Sequence, residues 1–291
     1  MINRADYTKH YACLAAIFII GDAVITLPDA YYGGAVLPGF LIASLFSVAI
    51  YFLSLIICRS LSGSGVFKRL LLTFFLLAAA VYALYNAARC LLDFLSFADK
   101  VLLPGGGHFA VAFIFLFTAA VLSVKKNDEI LKLSLIAAPF FVIAVIIFFL
   151  LTAKDFETEN ITLNSMPAFK ELWYGTMPYI FKTALPAVLI PPYFILLNKT
   201  QPRKGAGLWG LISGLVITAL ILCDSVLLFG ARMSARLPFP LASAVSTVTV
   251  GPLFTRMDGI VYCLFFMSAL IKTAFCAKLC FEALKKIKSG S

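Results

Sequence analysis

Asp22, Arg89, Asp93, Lys182, Asp224 and Lys272 are ionisable residues set inside stretches otherwise apolar enough to span a bilayer. An ionisable side chain at the centre of a membrane helix costs about 2.5–3.5 kcal/mol on insertion scales, so such residues require partners, water or a task. Carboxylates and amines placed together can simply neutralise one another. The same two signs of charge can also bind the two ends of a zwitterion such as an amino acid, or hold a cation. Catalytic chemistry is poorly supplied. His10 and His108 are far apart and pair with no carboxylate at a useful spacing. There is no phosphate-binding loop and no metal-ligand spacing, and Gly105, Gly106 and Gly107 make only a short turn. The chain therefore reads as no enzyme, with no cofactor and no metal.

The elements that position these charges must be membrane helices. Hydrophobic residues make up 62% of the chain and charged residues 13%, against about 25% charged in soluble domains. The seven cysteines lie in or beside apolar runs and read as packing residues, not as a disulfide or metal framework. Met1–His10 is polar and does not resemble a cleavable signal. At roughly 20 apolar residues per crossing, the sequence predicts about eight transmembrane helices in one integral membrane domain covering 1–291, at 11–28, 37–58, 70–97, 107–124, 132–153, 176–198, 207–230 and 259–283.

Basic residues alternate between the connections. Arg4 and Lys9, then Arg59, Lys68 and Arg69, then Lys125, Lys126 and Lys132, then Lys199, Arg203 and Lys204, then Lys285, Lys286 and Lys288 fall on one side. By the positive-inside rule both termini are cytoplasmic. The net charge of +10 is thus an orientation signal, and no nucleic-acid partner is expected. The long connection 231–258 fits less well, because Arg232, Arg236 and Arg256 would face outside. Its apolar stretch 237–252 is expected to lie on the membrane or to re-enter it, buried against protein.

Within the third span, Tyr82, Asn86, Arg89, Asp93, Ser96 and Lys100 recur at steps of four, three, four, three and four, along one helical face. Arg89 and Asp93 are close enough in register to pair. This face is either a polar seam for docking or one wall of a ligand cavity. Gly21-Asp22 in the first span weakens the helix there. In the sixth span Lys182 lies between Pro178 and Pro186, followed by Pro191 and Pro192, so that helix is expected to be kinked or interrupted. Two interrupted helices in matching positions point to a transporter-type site. At 1.5 Å per residue, Asp22, Arg89, Asp93, Lys182 and Asp224 fall about 6–14 Å from the outer ends of their spans, with Lys272 closer to the midplane. Either these charges pair structurally, Asp22 with Lys182 and Arg89 with Asp93, or they line a cavity.

Two stretches carry a family resemblance. Ile19-Ile20-Gly21-Asp22-Ala23-Val24-Ile25-Thr26-Leu27-Pro28 resembles the first broken helix of the spore-germination permeases, the GerAB-like B subunits of nutrient germinant receptors. These belong to the amino acid–polyamine–organocation (APC) transporter superfamily. Leu237-Pro238-Phe239-Pro240-Leu241, followed by Thr255-Arg256-Met257-Asp258-Gly259-Ile260-Val261, resembles that family's proline-containing segment and the Arg-x-Asp ahead of an apolar helix. Lys272 falls where the family often has a lysine.

The resemblance implies an all-α polytopic membrane protein with an APC (LeuT-like) fold, shortened here to eight spans where the family has about ten, and with helices one and six interrupted. It implies a ligand region at Ile20, Gly21, Asp22 and Ala23 with Lys182, Thr183 and Ala184, walled by Tyr82, Asn86, Arg89 and Asp93. Asp224, Lys272, Arg256 and Asp258 would be ion-coupling or structural charges. Asp22 departs from the family, which usually has a small or hydroxyl residue there. The implied function is a receptor subunit in the spore inner membrane. It would bind a small nutrient, an amino acid, and signal germination beside A-type and C-type subunits. The alternative is a proton- or sodium-coupled amino acid transporter.

Overall fold

A chain surrounded by hydrocarbon must satisfy its backbone N–H and C=O groups internally, and helices do so within one segment. The computed structural model describes residues 4–23, 35–61, 66–103, 106–125, 127–157, 168–197, 205–234, 237, 239–247 and 258–288. The first half comprises α1 (Arg4–Ala23), α2 (Val36–Leu61), α3 (Val66–Phe97) with a π-helical continuation Ala98–Leu102, α4 (His108–Val124) and α5 (Asn127–Thr152) with a closing 3-10 turn Ala153–Asp155. The sixth stretch is composite: α6 (Phe169–Tyr179), a π turn Ile180–Ala184, a 3-10 turn Leu185–Leu189, α7 (Ile190–Pro192) and a π turn Tyr193–Leu197. It is followed by α8 (Ala206–Phe229), α9 (Ala231–Ser234), α10 (Pro240–Thr247) and α11 (Asp258–Lys288).

No strand occurs among the described residues. Among the described residues, five stretches are long and apolar enough to cross a membrane: Val36–Leu61, Val66–Leu102, Glu129–Asp155, Ala206–Phe229 and Gly259–Lys288. The protein is an all-α, multi-pass integral membrane protein. The other three expected spans coincide with helix of a different kind. Charged residues Arg4, Asp6 and Lys9 occupy the start of α1, α4 has only 17 residues, and the sixth stretch changes its winding four times.

The long helices sort their residues by side. In α2, Gly39, Phe40, Ala43, Ser47, Tyr51, Ser54 and Cys58 are buried, while Leu41, Leu45, Phe52, Leu53 and Ile56 are exposed. Steps of three and four put each set on its own face. An exposed face this apolar suits lipid and not water.

Inside, α1 packs against α8, α5 and α11, and α11 packs along α3 and α4. Gly207, Gly210 and Gly214 lie at steps of three and four on α8. A Cβ on Gly210 would stand 2.3 Å from the Ala12 carbonyl oxygen, and one on Gly214 2.8 Å from that of Ala16. Only hydrogen fits there, the small-residue contact that lets membrane helices approach closely.

Two expectations meet the structure differently. The helix of the first span is unbroken through Gly21 and Asp22 to Ala23, and residues 24–28 lie outside the described residues. Gly21 serves close packing instead: a Cβ there would meet Lys272 Cδ at 3.1 Å and the Ser268 carbonyl oxygen at 3.2 Å. The apolar connection 237–252 contains α10, whose Leu241, Ala242, Ala244 and Val245 are buried. It lies against α8, α11 and α5.

Candidate ligand site

The site begins with the prolines of the sixth stretch. Proline gives no N–H to the carbonyl four residues earlier and crowds the preceding turn. The chain answers without leaving the helix. Winding passes from α to π, to 3-10, to α and to π again between Phe169 and Leu197, and no unwound gap opens among these residues. Local π and 3-10 turns and hydroxyl side chains take up the freed groups, as membrane helices permit. Pro192 leaves the Val188 carbonyl without its usual donor, and Ser54 Oγ from α2 donates to it at 2.8 Å. Thr183 Oγ1 donates to the Tyr179 carbonyl at 2.6 Å. The stretch is pressed onto α2 by small residues, since a Cβ on Gly175 would meet that of Ala35 at 2.7 Å. The expected interruption is therefore a change of winding centred on Lys182, Thr183 and Ala184.

That winding carries Lys182 to the polar seam of α3. Its Nζ lies 3.8 Å from Asp93 Oδ2, with the two side chains 13% and 23% exposed. The pair is shielded, yet open enough to be reached. On the same seam Asn86 is buried, donating from Nδ2 to the Tyr82 carbonyl at 2.9 Å. Tyr82, Arg89 and Ser96 are half-buried, and Lys100 is exposed beyond the end of α3. Ala83, Ala87, Cys90 and Phe94 form the neighbouring buried face, and Leu84, Tyr85 and Leu92 the exposed one. The seam thus runs along the border between core and surface. Asp93 reaches across to another span, where a pairing within α3 to Arg89 was one expectation.

Ile20, Thr183 and Ala184 are buried, and Ile20 shares a core cluster with Cys90 and Phe94 of α3. Asp22 and Ala23 close α1, but their side chains lie outside the described ones, and with them the expected Asp22–Lys182 pairing. Lys272 is fully buried on α11. Its Nζ stands 5.0 Å from the centroid of the Phe18 ring, a cation–π arrangement, and its stem passes beneath Gly21. Asp224 stands in a different setting. It is 3% exposed, in hydrogen-bond contact with Thr152 Oγ1 at 2.5 Å, and otherwise among apolar side chains. Arg256 lies outside the described residues, and Asp258 begins α11 with its side chain likewise outside.

Sequence reasoning passed over Ser54 and Thr152, which look like ordinary small polar residues of a span. Pro192 does mark Val188 as a carbonyl needing a donor, but not which helix supplies it. No protein-family model matches the chain, and no curated protein matches it in sequence.

Proposed function

We propose that the chain is a permease-like subunit of a spore germinant receptor, which binds a small nutrient between its first, third and sixth spans and passes a conformational change to A-type and C-type partners. The observation that carries this reading is the Lys182–Asp93 pair, at 3.8 Å and partly exposed. An ammonium and a carboxylate at that separation match the two ends of an amino acid. A zwitterion inserted there would exchange one ion pair for two. The placement of Lys182 on a rewound segment, where backbone groups depart from the regular ladder, supports the same reading. The fold would be of the APC type, with the basic connections on the cytoplasmic side of the spore inner membrane.

Ligand-dependent thermal stabilisation of the purified protein across the twenty amino acids, with Lys182→Met alongside, tests it. A ligand at a hundredfold its dissociation constant stabilises by about 2.7 kcal/mol. A selective shift that vanishes in Lys182→Met supports the site. A flat response from well-folded protein removes it, and uptake by the purified chain alone would instead favour the coupled transporter.

A further inference from the structure

Between α5, α8, α10 and α11 lies a cavity lined by Phe141, Phe148, Ile221, Leu241 and Phe265, with Asp224 in its wall. The space open to the centre of a water molecule is about 20 Å³, room for about one water. A buried water takes two to four polar partners, and the lining of this space is apolar but for Asp224. Asp224 Oδ2 has no hydrogen-bond partner among the described residues. A hard metal cation is no better served, since calcium, for example, takes about six to eight oxygens.

The other carboxyl oxygen is in contact with Thr152 Oγ1, which has three oxygens within reach: Asp224 Oδ1 at 2.5 Å, the Phe148 carbonyl at 2.9 Å and the Phe149 carbonyl at 3.2 Å. Thr152 has one hydrogen, and an ionised carboxylate and both carbonyls only accept. An ionised Asp224 would therefore compete with the helix for that hydrogen and leave its other oxygen charged and without a hydrogen bond among apolar side chains, the costliest way to bury a polar group. One added proton resolves both difficulties. Asp224 then donates to Thr152 Oγ1, Thr152 donates to its own helix, and the buried second oxygen is uncharged.

We propose that Asp224 and Thr152 form a proton-binding site, with one proton held on Asp224 Oδ1 and shared toward Thr152 Oγ1. The site is separate from the Lys182–Asp93 pair and does not depend on what binds there. The titratable groups around it are few. Cys223 precedes it on α8, Lys154 and Asp155 in the 3-10 turn after α5 are exposed and paired with each other at 3.9 Å, Glu157 donates its backbone N–H to the Leu227 carbonyl of α8 at 3.3 Å, and α10 and α11 contribute only apolar side chains to the wall. Phe229 ends α8 five residues later, about 7.5 Å along the axis, so the proton has a short way to travel. Release would leave a carboxylate in the cavity and requires α5 and α8 to part or water to enter.

Infrared difference spectroscopy on the full chain in lipid nanodiscs at neutral pH decides the matter. Wild type minus Asp224→Asn should show the C=O band of one protonated carboxyl, and Thr152→Val should shift that band without removing it. Absence of the band, or a band indifferent to Thr152→Val, overturns the proposal. If Asp224→Asn cannot be purified folded, wild type minus Thr152→Val serves alone: a shifted carboxylic-acid band supports the site and a flat difference overturns it.

Discussion

Asp93 and Asp224 are carboxylates of the same type on similarly apolar helices. One faces an ammonium and is 23% exposed; the other faces a threonine and an apolar cavity and is 3% exposed. The difference comes from their partner elements. Asp93 looks onto a proline-rich stretch whose winding changes repeatedly, and Lys182 reaches it from the π turn Ile180–Ala184. Asp224 looks onto α5, which stays α-helical past its internal Pro139 up to Thr152, where a side chain can offer only a hydroxyl bonded to its own turn. Irregular backbone here accommodates an ion pair between two spans, whereas the helical backbone of α5 and α8 sets Asp224 against a hydroxyl and beside a space for about one water.

The largest change to this contrast is expected at Gly210. α1 lies against α8, which carries Asp224, and also against the π turn that carries Lys182, so displacing it disturbs both regions together. A Cβ at Gly210 already meets the Ala12 carbonyl oxygen at 2.3 Å. Gly210→Leu should therefore cost about 3 kcal/mol or more, at or above the upper end of overpacking penalties, and appear as a steep loss of folded, monodisperse protein. Unchanged thermal stability in that variant would mean that α1 and α8 do not cross this closely.

An intermediate effect is expected at the pair itself. Asp93→Asn or Lys182→Met alone leaves one charge without its partner in a shielded place. Each should cost about 1–3 kcal/mol, between the surface and fully buried limits. The two together should cost less than their sum, since the double variant strands no charge. A thermal-melt double-mutant cycle measures the coupling. Zero coupling would show that the two side chains do not feel each other, and the contrast with Asp224 would lose its open member.

The lipid-facing stripe of α2, with Leu41, Leu45, Phe52 and Ile56, emerges only in the structure, while the helical class was legible because it follows from the length and spacing of the apolar runs. The α3 seam was legible for the same reason, and Lys182 for the prolines around it. What was not legible is how helices approach one another. Gly21-Asp22 reads as a weak point in a helix, yet Gly21 is there because the Lys272 stem passes beneath it. The glycines of α8 show the same ambiguity: a missing side chain in a sequence signals either backbone freedom or close contact, and only the partner helix decides. Thr152 and Ser54 were invisible, since a hydroxyl acquires meaning from a group that another part of the chain leaves unsatisfied.

Ser54 gives the smallest and most selective test. Its Oγ donates to the Val188 carbonyl, the group that Pro192 leaves without a backbone donor. Ser54→Ala removes that donor while leaving the prolines, Lys182 and Asp93 in place. A buried acceptor left unsatisfied costs about 1–3 kcal/mol, and a helix able to shift its winding should recover part of it, so the loss is expected near 1 kcal/mol. The effect should be confined to one region: amide exchange should quicken across residues 185–197 and stay unchanged in α5 and α8 around Thr152 and Asp224. Equal quickening in both places would mean that the rewound stretch and the helices around Asp224 move as one body, and the contrast between the two regions would not hold.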